Sequence, residues 1–351
     1  MKLSRALPVV LFATASVALA ADPWKHYRNR DTEGLAGDEI QFIQPIGEDV
    51  WIGTADGLTR FRDGQFTKVT QMAAEAGARR KDGEGKTEPQ PFEHTIWEIL
   101  PDGEDTFLVA TSKGVFRMKD AILREKVYRG TLTPLLRRGE NTLWGKAGGR
   151  IVARNEDGWK ALHELRNKRI IDMLQVPSGD IWIILDGDGA LRVKPDQDLA
   201  DAAHEHRGMN IRMVFEDSKE RAWVGFWDGG VAVLDDGRWT QYLDWEETAV
   251  LRFAEDKAGN IWIASNQALW RYDGEEFEAM VEDQGPINLL YATSDARIWM
   301  STQRFGGLHY RDNGEWKPSL DQRVPIRCMV ELDDGTLCAG GILTGVYILP
   351  R

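Results

Sequence analysis

The chain has 351 residues and a formal net charge of −12, from 44 Lys and Arg set against 56 Asp and Glu. An acidic balance with scattered basic residues argues against nucleic acid or an anionic membrane as the main partner. The length could hold two ordinary domains or one large repeat fold, and periodicity decides between them.

The N-terminus reads as a targeting segment. Lys2 and Arg5 form a short positive region, Ala6 to Leu19 is apolar, and Ala18-Leu19-Ala20 is a small-x-small cleavage signature. The apolar run is shorter than the roughly 20 residues a spanning helix needs. We therefore expect residues 1–20 to be a cleaved signal peptide and residues 21–351 to be periplasmic or secreted, with no membrane insertion. Removing two basic residues takes the formal charge to −14.

Along the rest of the chain one phrase recurs. Its clearest copy is Glu255-Asp256-Lys257-Ala258-Gly259-Asn260-Ile261-Trp262-Ile263-Ala264-Ser265. Aligned on Trp262, the copies fall at Trp51, Leu108, Trp144, Trp182, Trp223, Trp262, Trp299 and Cys338, with spacings of 57, 36, 38, 41, 39, 37 and 39. A period near 40 with four short strand-like segments is the mark of a propeller blade. Each unit runs from an apolar segment through an Asp/Gly turn to the Trp strand, then to two further strands. Hairpin signals such as Asp63-Gly64, Asp236-Gly237 and Asn313-Gly314 join the last two. The Trp positions read as scaffold buried between blades.

The expected fold is all-β: a single closed β-propeller of eight four-stranded blades, or seven if the units near Leu108 and Trp144 merge. The last unit is one strand short, and Trp24-Lys25-His26-Tyr27 resembles the outer strand of other units. The mature N-terminal strand is expected to complete the last blade and so remove two exposed sheet edges.

Glu216-Asp217 ahead of Trp223-Val224-Gly225, Glu255-Asp256-x-x-Gly259-x-x-Trp262 and Asp49-Val50-Trp51-Ile52-Gly53-Thr54-x-x-Gly57-Leu58 resemble the two-component regulator propeller repeat. The resemblance spans residues 21–351 and implies a periplasmic ligand-binding or sensor propeller. This copy is read as standing alone, without a kinase segment.

Departures from the repeat are where function is expected. The largest is the inserted loop 71–93, read as a solvated loop or as a lid or docking loop, with a helical turn at Met72 to Gly77. A second, Pro195 to Asn210, has Asp196 to Ala203 suited to a short helix and carries His204-Glu205-His206. Two His at that spacing need further ligands, and none is evident, so the metal expectation is none. Loops between second and third strands supply Trp227-Asp228, Gln303-Arg304-Phe305, Asp186 and Asn266, with Trp245 in a blade-to-blade loop on the same face. Aromatic faces beside polar groups suit a carbohydrate or peptide. Gln41, Glu98, Asp172 and Arg252 are expected to border a central channel, with opposite charges pairing there. Cys328 and Cys338 flank the Asp333-Asp334-Gly335 turn, so a disulfide and two thiols are both open.

No nucleophile elbow, zinc-binding His-Glu-x-x-His or phosphate-binding Gly loop is present. The chain reads as a non-catalytic, monomeric binding or sensing module without cofactor. Its partner is a small carbohydrate, a peptide, or a periplasmic or membrane protein. The alternatives are a polysaccharide lyase or glycoside hydrolase on the same scaffold, and a structural subunit of an envelope complex.

Overall fold

A computed structural model describes residues 24–72, 89–138, 142–155, 158–162, 165, 167–242, 248–282, 285–302, 306–320 and 324–351. The expected signal peptide lies outside them. The chain is all-β and its eight sheets are those of an eight-bladed β-propeller. The drifted units near Leu108 and Trp144 form separate sheets, so the count is eight and not seven. We number the blades by their first strands: Ile40–Ile46, Ile96–Pro101, Leu135–Arg138, Ile170–Gln175, Ile211–Glu216, Val250–Glu255, Ile287–Ala292 and Ile326–Glu331.

Lys25–Tyr27 is the outer strand of blade 8, paired antiparallel with Val346 to Ile348, as the sequence predicts. Two compact units emerge from the contacts: His163–Leu337 with Trp24 and Leu349–Arg351, and Lys25–Leu162 with Cys338–Ile348.

In the second unit, blade 2 departs from the four-stranded plan. Thr70–Met72 and Pro89–Pro91 pair with each other, and Thr70 and Gln71 add in parallel to Ile122 and Leu123, giving a six-stranded sheet. The stem of the inserted loop therefore covers the outer edge of blade 2. Met72 is in a strand and not in a helical turn. The expectation of a lid falls on residues 73–88, outside the described residues.

In the first unit the Pro195 to Asn210 departure resolves differently from the expected helix. A single 3-10 turn, Leu199–Asp201, precedes Ala203–Glu205, and that segment is simply the fourth strand of blade 4. His204 bonds the Asp188 carbonyl and His206 packs edge-on against Trp239 and Phe226. Burial lowers the pKa of His206, as suits a ring in an aromatic setting. The His-x-His pair is part of the scaffold.

The same unit shows why the Glu-Asp…Trp phrase recurs. Asp217 and Asp256 close their own turns. Each accepts from two backbone amides of the turn and, at 2.8 Å, from the indole N–H of Trp223 or Trp262. Thr293 does the same for Trp299 at 3.2 Å. The preceding Glu reaches to the neighbouring blade. Glu216 accepts from the amide and hydroxyl of Ser178, Glu255 from those of Ser218, and Glu331 from those of Ser294, all at 2.5–2.7 Å. One carboxylate folds a blade's turn onto its Trp, and the next fastens blade to blade. Such charge-assisted bonds are about twice as strong as neutral ones.

Blade-to-blade packing is close. Trp51, Trp144, Trp182, Trp223, Trp262 and Trp299 are all at most 2% exposed. Gly225 is required by this approach: a Cβ there would lie 2.5 Å from the Val250 side chain of the next blade. The hairpin turns at Asp63-Gly64, Asp236-Gly237 and Asn313-Gly314 have positive φ at both residues, the backbone of the tight turn their sequence predicts.

Two predictions follow from the turn chemistry. Asp256→Ala strands the buried Trp262 N–H and is expected to cost about 1–3 kcal/mol, more than Ser218→Ala at its exposed turn, at about 1 kcal/mol. Urea unfolding midpoints rank the two, and equal shifts would refute the assignment. Burial works to raise the Asp217 pKa, but hydrogen bonds from Trp223, the Arg221 amide and the Arg221 guanidinium prevail and hold it below its ordinary 3.8. Its stabilising effect is thus present above 3.8 and lost as pH falls through the lower folded value. The stability gap between wild type and Asp217→Asn should close on acidification below that point, as read by thermal midpoint.

Candidate ligand-binding end of the sheets

Each blade's first strand starts, and its second strand ends, at the same edge of the sheet. Two local features shape that edge. The residue after the second strand donates its backbone N–H to the chain just ahead of the first strand: Ala55 to Glu39, Ser112 to Thr95, Asp186 to Arg169, Trp227 to Asn210 and Asn266 to Ala249, at 2.9–3.2 Å. Two residues beyond each of those acceptors the first strand carries a bulge. The register skips Gln41, Trp97, Ile171, Arg212 and Leu251, as it does Asn288 in blade 7. A bulge leaves one residue out of the ladder and re-aims its side chain. Blades 1, 2, 4, 5 and 6 therefore each offer a loop residue and a bulge residue at this edge.

Among the described residues the exposed large apolar side chains number four, and all sit at this edge of their own blade. Trp97, 40% exposed, and Ile171, 39%, are bulge residues. Trp227, 48% exposed, is a loop residue, and Leu343, 70%, lies in the corresponding loop of blade 8 with φ +136°. A large apolar side chain left exposed at the edge of its blade is a candidate for contact with a ligand.

Blade 5 pairs the most specific chemistry. The Arg212 guanidinium lies over the Trp227 ring, 4.5 Å from its centroid. The Arg212 Nε is buried and has no hydrogen-bond partner among the described residues. Asn210 donates to the Asp228 carboxylate at 3.2 Å, so Asp228 supports the loop from behind. On the packed neighbour, blade 6, Arg252 donates to the Leu251 carbonyl at 2.7 Å. Burial, and next the positive charge of Arg212, lower the Arg252 pKa. The two cations thus sense each other, and among the described residues neither pairs with a carboxylate.

The other expected site residues are placed as follows. Asp186 pairs with Arg169 at 2.8 Å, and Asn266 sits at the edge of blade 6 with its amide on Ala249. Asp186, Trp227 and Asn266 thus occupy equivalent positions, as their common loop implied. Gln303, Arg304, Phe305 and Trp245 lie outside the described residues. Gln41 is the blade 1 bulge. Glu98 does not serve a distant arginine alone: its carboxylate accepts from the Leu135 amide at 2.6 Å, fastening blade 2 to blade 3. Asp172 accepts from the adjacent Met173 amide, and among the described residues neither it nor Arg252 is seen in an ion pair. Cys328 is half-buried on the first strand of blade 8 and Cys338 buried on the second. Trp97, Ile171 and Leu343 escaped sequence reading. The signal that points to the first two is alignment with Arg212, two residues past the stitched position.

No family model and no curated protein matches the sequence. Solved structures do match in fold. The extracellular domain of a putative hybrid two-component system from B. thetaiotaomicron superposes with TM-score 0.54 at 12% identity, over 93% of this chain and 39% of that one. A second such domain from the same organism gives TM-score 0.52 at 14% identity, over 92% of this chain and 53% of that one. This chain therefore spans well under two thirds of those two proteins. A catalytically inactive virginiamycin B lyase from Staphylococcus aureus, with quinupristin, gives TM-score 0.55 at 12% identity over 93% of this chain and 98% of that one. The chain is of the β-propeller class these proteins share. No helix among the described residues is long and apolar enough to cross a membrane.

If the exposed aromatics serve binding and not the core, Trp227→Ala and Trp97→Ser should each change stability by only about 0.5 kcal/mol. Trp262→Ala should cost about 3–5 kcal/mol. Urea midpoints of the three variants test this. A large loss for Trp227→Ala would make Trp227 a structural residue.

Proposed function

We propose that this protein is an extracytoplasmic binding or sensing propeller that takes its ligand on the loop-and-bulge edge of its blades. The observation that carries the reading is the half-exposed Trp227 ring with the Arg212 guanidinium stacked on it at the edge of blade 5. An exposed indole costs hydration and contributes nothing to the core, so its worth lies in what it covers. An aromatic face with a guanidinium beside it suits a sugar ring or a peptide side chain, covering the apolar face while the cation meets polar edges. The sequence resemblance to two-component regulator propellers and the fold shared with extracellular domains of hybrid two-component systems support a sensing role.

A thermal-unfolding screen against neutral and acidic oligosaccharides and short peptides tests the reading. A ligand at about 100 times its Kd stabilises the fold by roughly 2.7 kcal/mol. A ligand so found should bind wild type and not Trp227→Ala, with unfolding midpoints of the free proteins alike. Unchanged affinity in that variant would move the site away from blade 5.

A further inference from the structure

Charge along this chain is segregated. Residues 113–162, the outer half of blade 2 and all of blade 3, hold 12 Lys and Arg against 5 Asp and Glu, a formal +7. With the whole chain at −12, the remainder carries −19. The inserted residues 73–88, outside the described ones, hold four of each sign and leave this balance as it is. A block of one sign inside a chain of the other is a local field, and fields of that kind steer charged ligands.

Within the block the signs separate along the sheets. Glu125 pairs with Arg117 at 2.7 Å and Asp120 with Arg124 at 3.3 Å. Glu140, Glu156 and Asp157 lie outside the described residues, in connections that join strands at the end opposite the loop-and-bulge edge. The loop-and-bulge edge takes cations. In blade 2 Gly114–Lys119 starts there and Ile122–Tyr128 ends there, which places Lys113, Lys126 and Arg129 at it. In blade 3 Thr142–Ala147 ends and Arg150–Asn155 starts there, which places Lys146 and Arg150. Lys146 is half-buried and the other four are exposed. Against them the incoming chain of blade 2 sets Glu93 and Glu98, and Glu98 is taken up by the Leu135 amide at 2.6 Å.

The backbone under these cations is fixed. The Thr111 hydroxyl accepts from the Lys113 amide at 3.0 Å and donates to the Gly114 carbonyl at 2.8 Å. A Cβ at Gly114 would lie 3.4 Å from the Lys126 stem, so Lys126 packs beside the Lys113 loop. The Lys146 amide and carbonyl bond Pro134 and Thr133 at 3.1 and 3.0 Å. Tyr128 and Trp159 join the two blades at 5.4 Å, over a shared core that includes Leu108, Leu135 and Val152. Trp97, 40% exposed, stands at the same edge of blade 2, two residues past the Thr95 carbonyl that the Ser112 amide bonds.

We propose that this edge of blades 2 and 3 binds an acidic polysaccharide, whose successive carboxylate or sulfate groups meet the five cations while one sugar ring lies on Trp97. Cations spread over two blades outnumber what a singly charged ligand can use. A chain charged on every unit engages them together and releases counterions as it does so. The exposed indole supplies the flat apolar surface that a sugar ring covers. None of the blade 5 residues takes part, so this surface and the Trp227 site fail separately, although both take the loop-and-bulge edge as the binding edge.

Calorimetric titration of the whole protein tests this with hexagalacturonate, sulfated maltohexaose, neutral maltohexaose and polyglutamate. At least one acidic sugar should bind, more weakly as NaCl is raised, and neutral maltohexaose at least about tenfold more weakly. Which acidic sugar binds assigns the anion. Lys113→Glu with Arg150→Glu should lose about tenfold or more of that affinity. Lys219→Glu with Arg238→Glu makes the same change in net charge at exposed cations of blade 5 and should stay within about twofold. Unfolding midpoints of the free variants should match wild type. If the first pair unfolds early, Lys113→Gln with Arg150→Gln takes its place, with an expected loss of about fivefold. Trp97→Ser should weaken the acidic sugar and leave polyglutamate unchanged. Equal loss in the two Glu pairs, neutral maltohexaose binding as well as the acidic sugars, or no acidic sugar bound would overturn the surface. Polyglutamate binding as tightly as the better sugar would overturn a polysaccharide as the ligand. Binding lost in Trp227→Ala but kept in the Lys113 and Arg150 variant would place the sugar on blade 5 and overturn this surface alone.

Discussion

The structure depends on short carboxylate hydrogen bonds made at the turn between the first and second strands. In the best-formed blades, Asp217 or Asp256 gathers the turn amides and the Trp indole into one ionised acceptor. The glutamate beside it crosses to the serine of the neighbouring turn. A blade by itself is a four-stranded sheet with two apolar faces and little to fix its angle to the next. The buried Trp gives attraction without direction, and the Glu–Ser clamp supplies direction.

Where the phrase decays, the contact changes in a way the residue dictates. Trp182 has Val176 at the aspartate position, and Trp51 has Pro45; both indole nitrogens lack a partner among the described residues. At blade 7 Ala292 stands where a glutamate would, and Lys257 of blade 6 reaches the Ser294 carbonyl instead at 3.5 Å. Blade 3 sets Arg138 over Trp144 at 4.7 Å. Blade 2 has Leu108 and no indole to satisfy, and it acquires two extra strands on its outer edge. Repetition of the fold thus tolerates loss of the aspartate contact in single blades, and the position in blade 8 is filled by the small, buried Cys338.

The opposite edge follows another rule. There the stitch from the loop amide to the incoming chain and the bulge two residues later recur even where side chains differ completely. In six blades the bulge recurs while Gln, Trp, Ile, Arg, Leu and Asn take turns at it. Turns at one end carry the architecture, whereas the other end presents whatever residue is encoded. That division lets one scaffold serve binding, signalling and catalysis among its structural relatives, and it makes the site a property of residues and not of the fold.

By itself the sequence determined the all-β class, the eight-unit period, the burial of the six indoles and the repair of blade 8 by Lys25–Tyr27. These follow from local patterns: period-two alternation, Asp-Gly turns and a Trp every 40 or so residues. It also singled out Trp227, Asp186 and Asn266, because their loop has a fixed place in the repeat. It read Pro195 to Asn210 as a departure from the repeat, since the three residues Ala203–Glu205 on a short outer strand carry too little alternation to distinguish strand from insertion. Tertiary structure alone decided that residues 70–72 and 89–91 extend blade 2, because that pairing joins segments far apart in sequence. It alone placed Arg212 over Trp227, because a bulge shifts a side chain by one position without leaving a mark in composition. Charge pairing across blades is likewise a matter of distance in space, and linear spacing does not encode it.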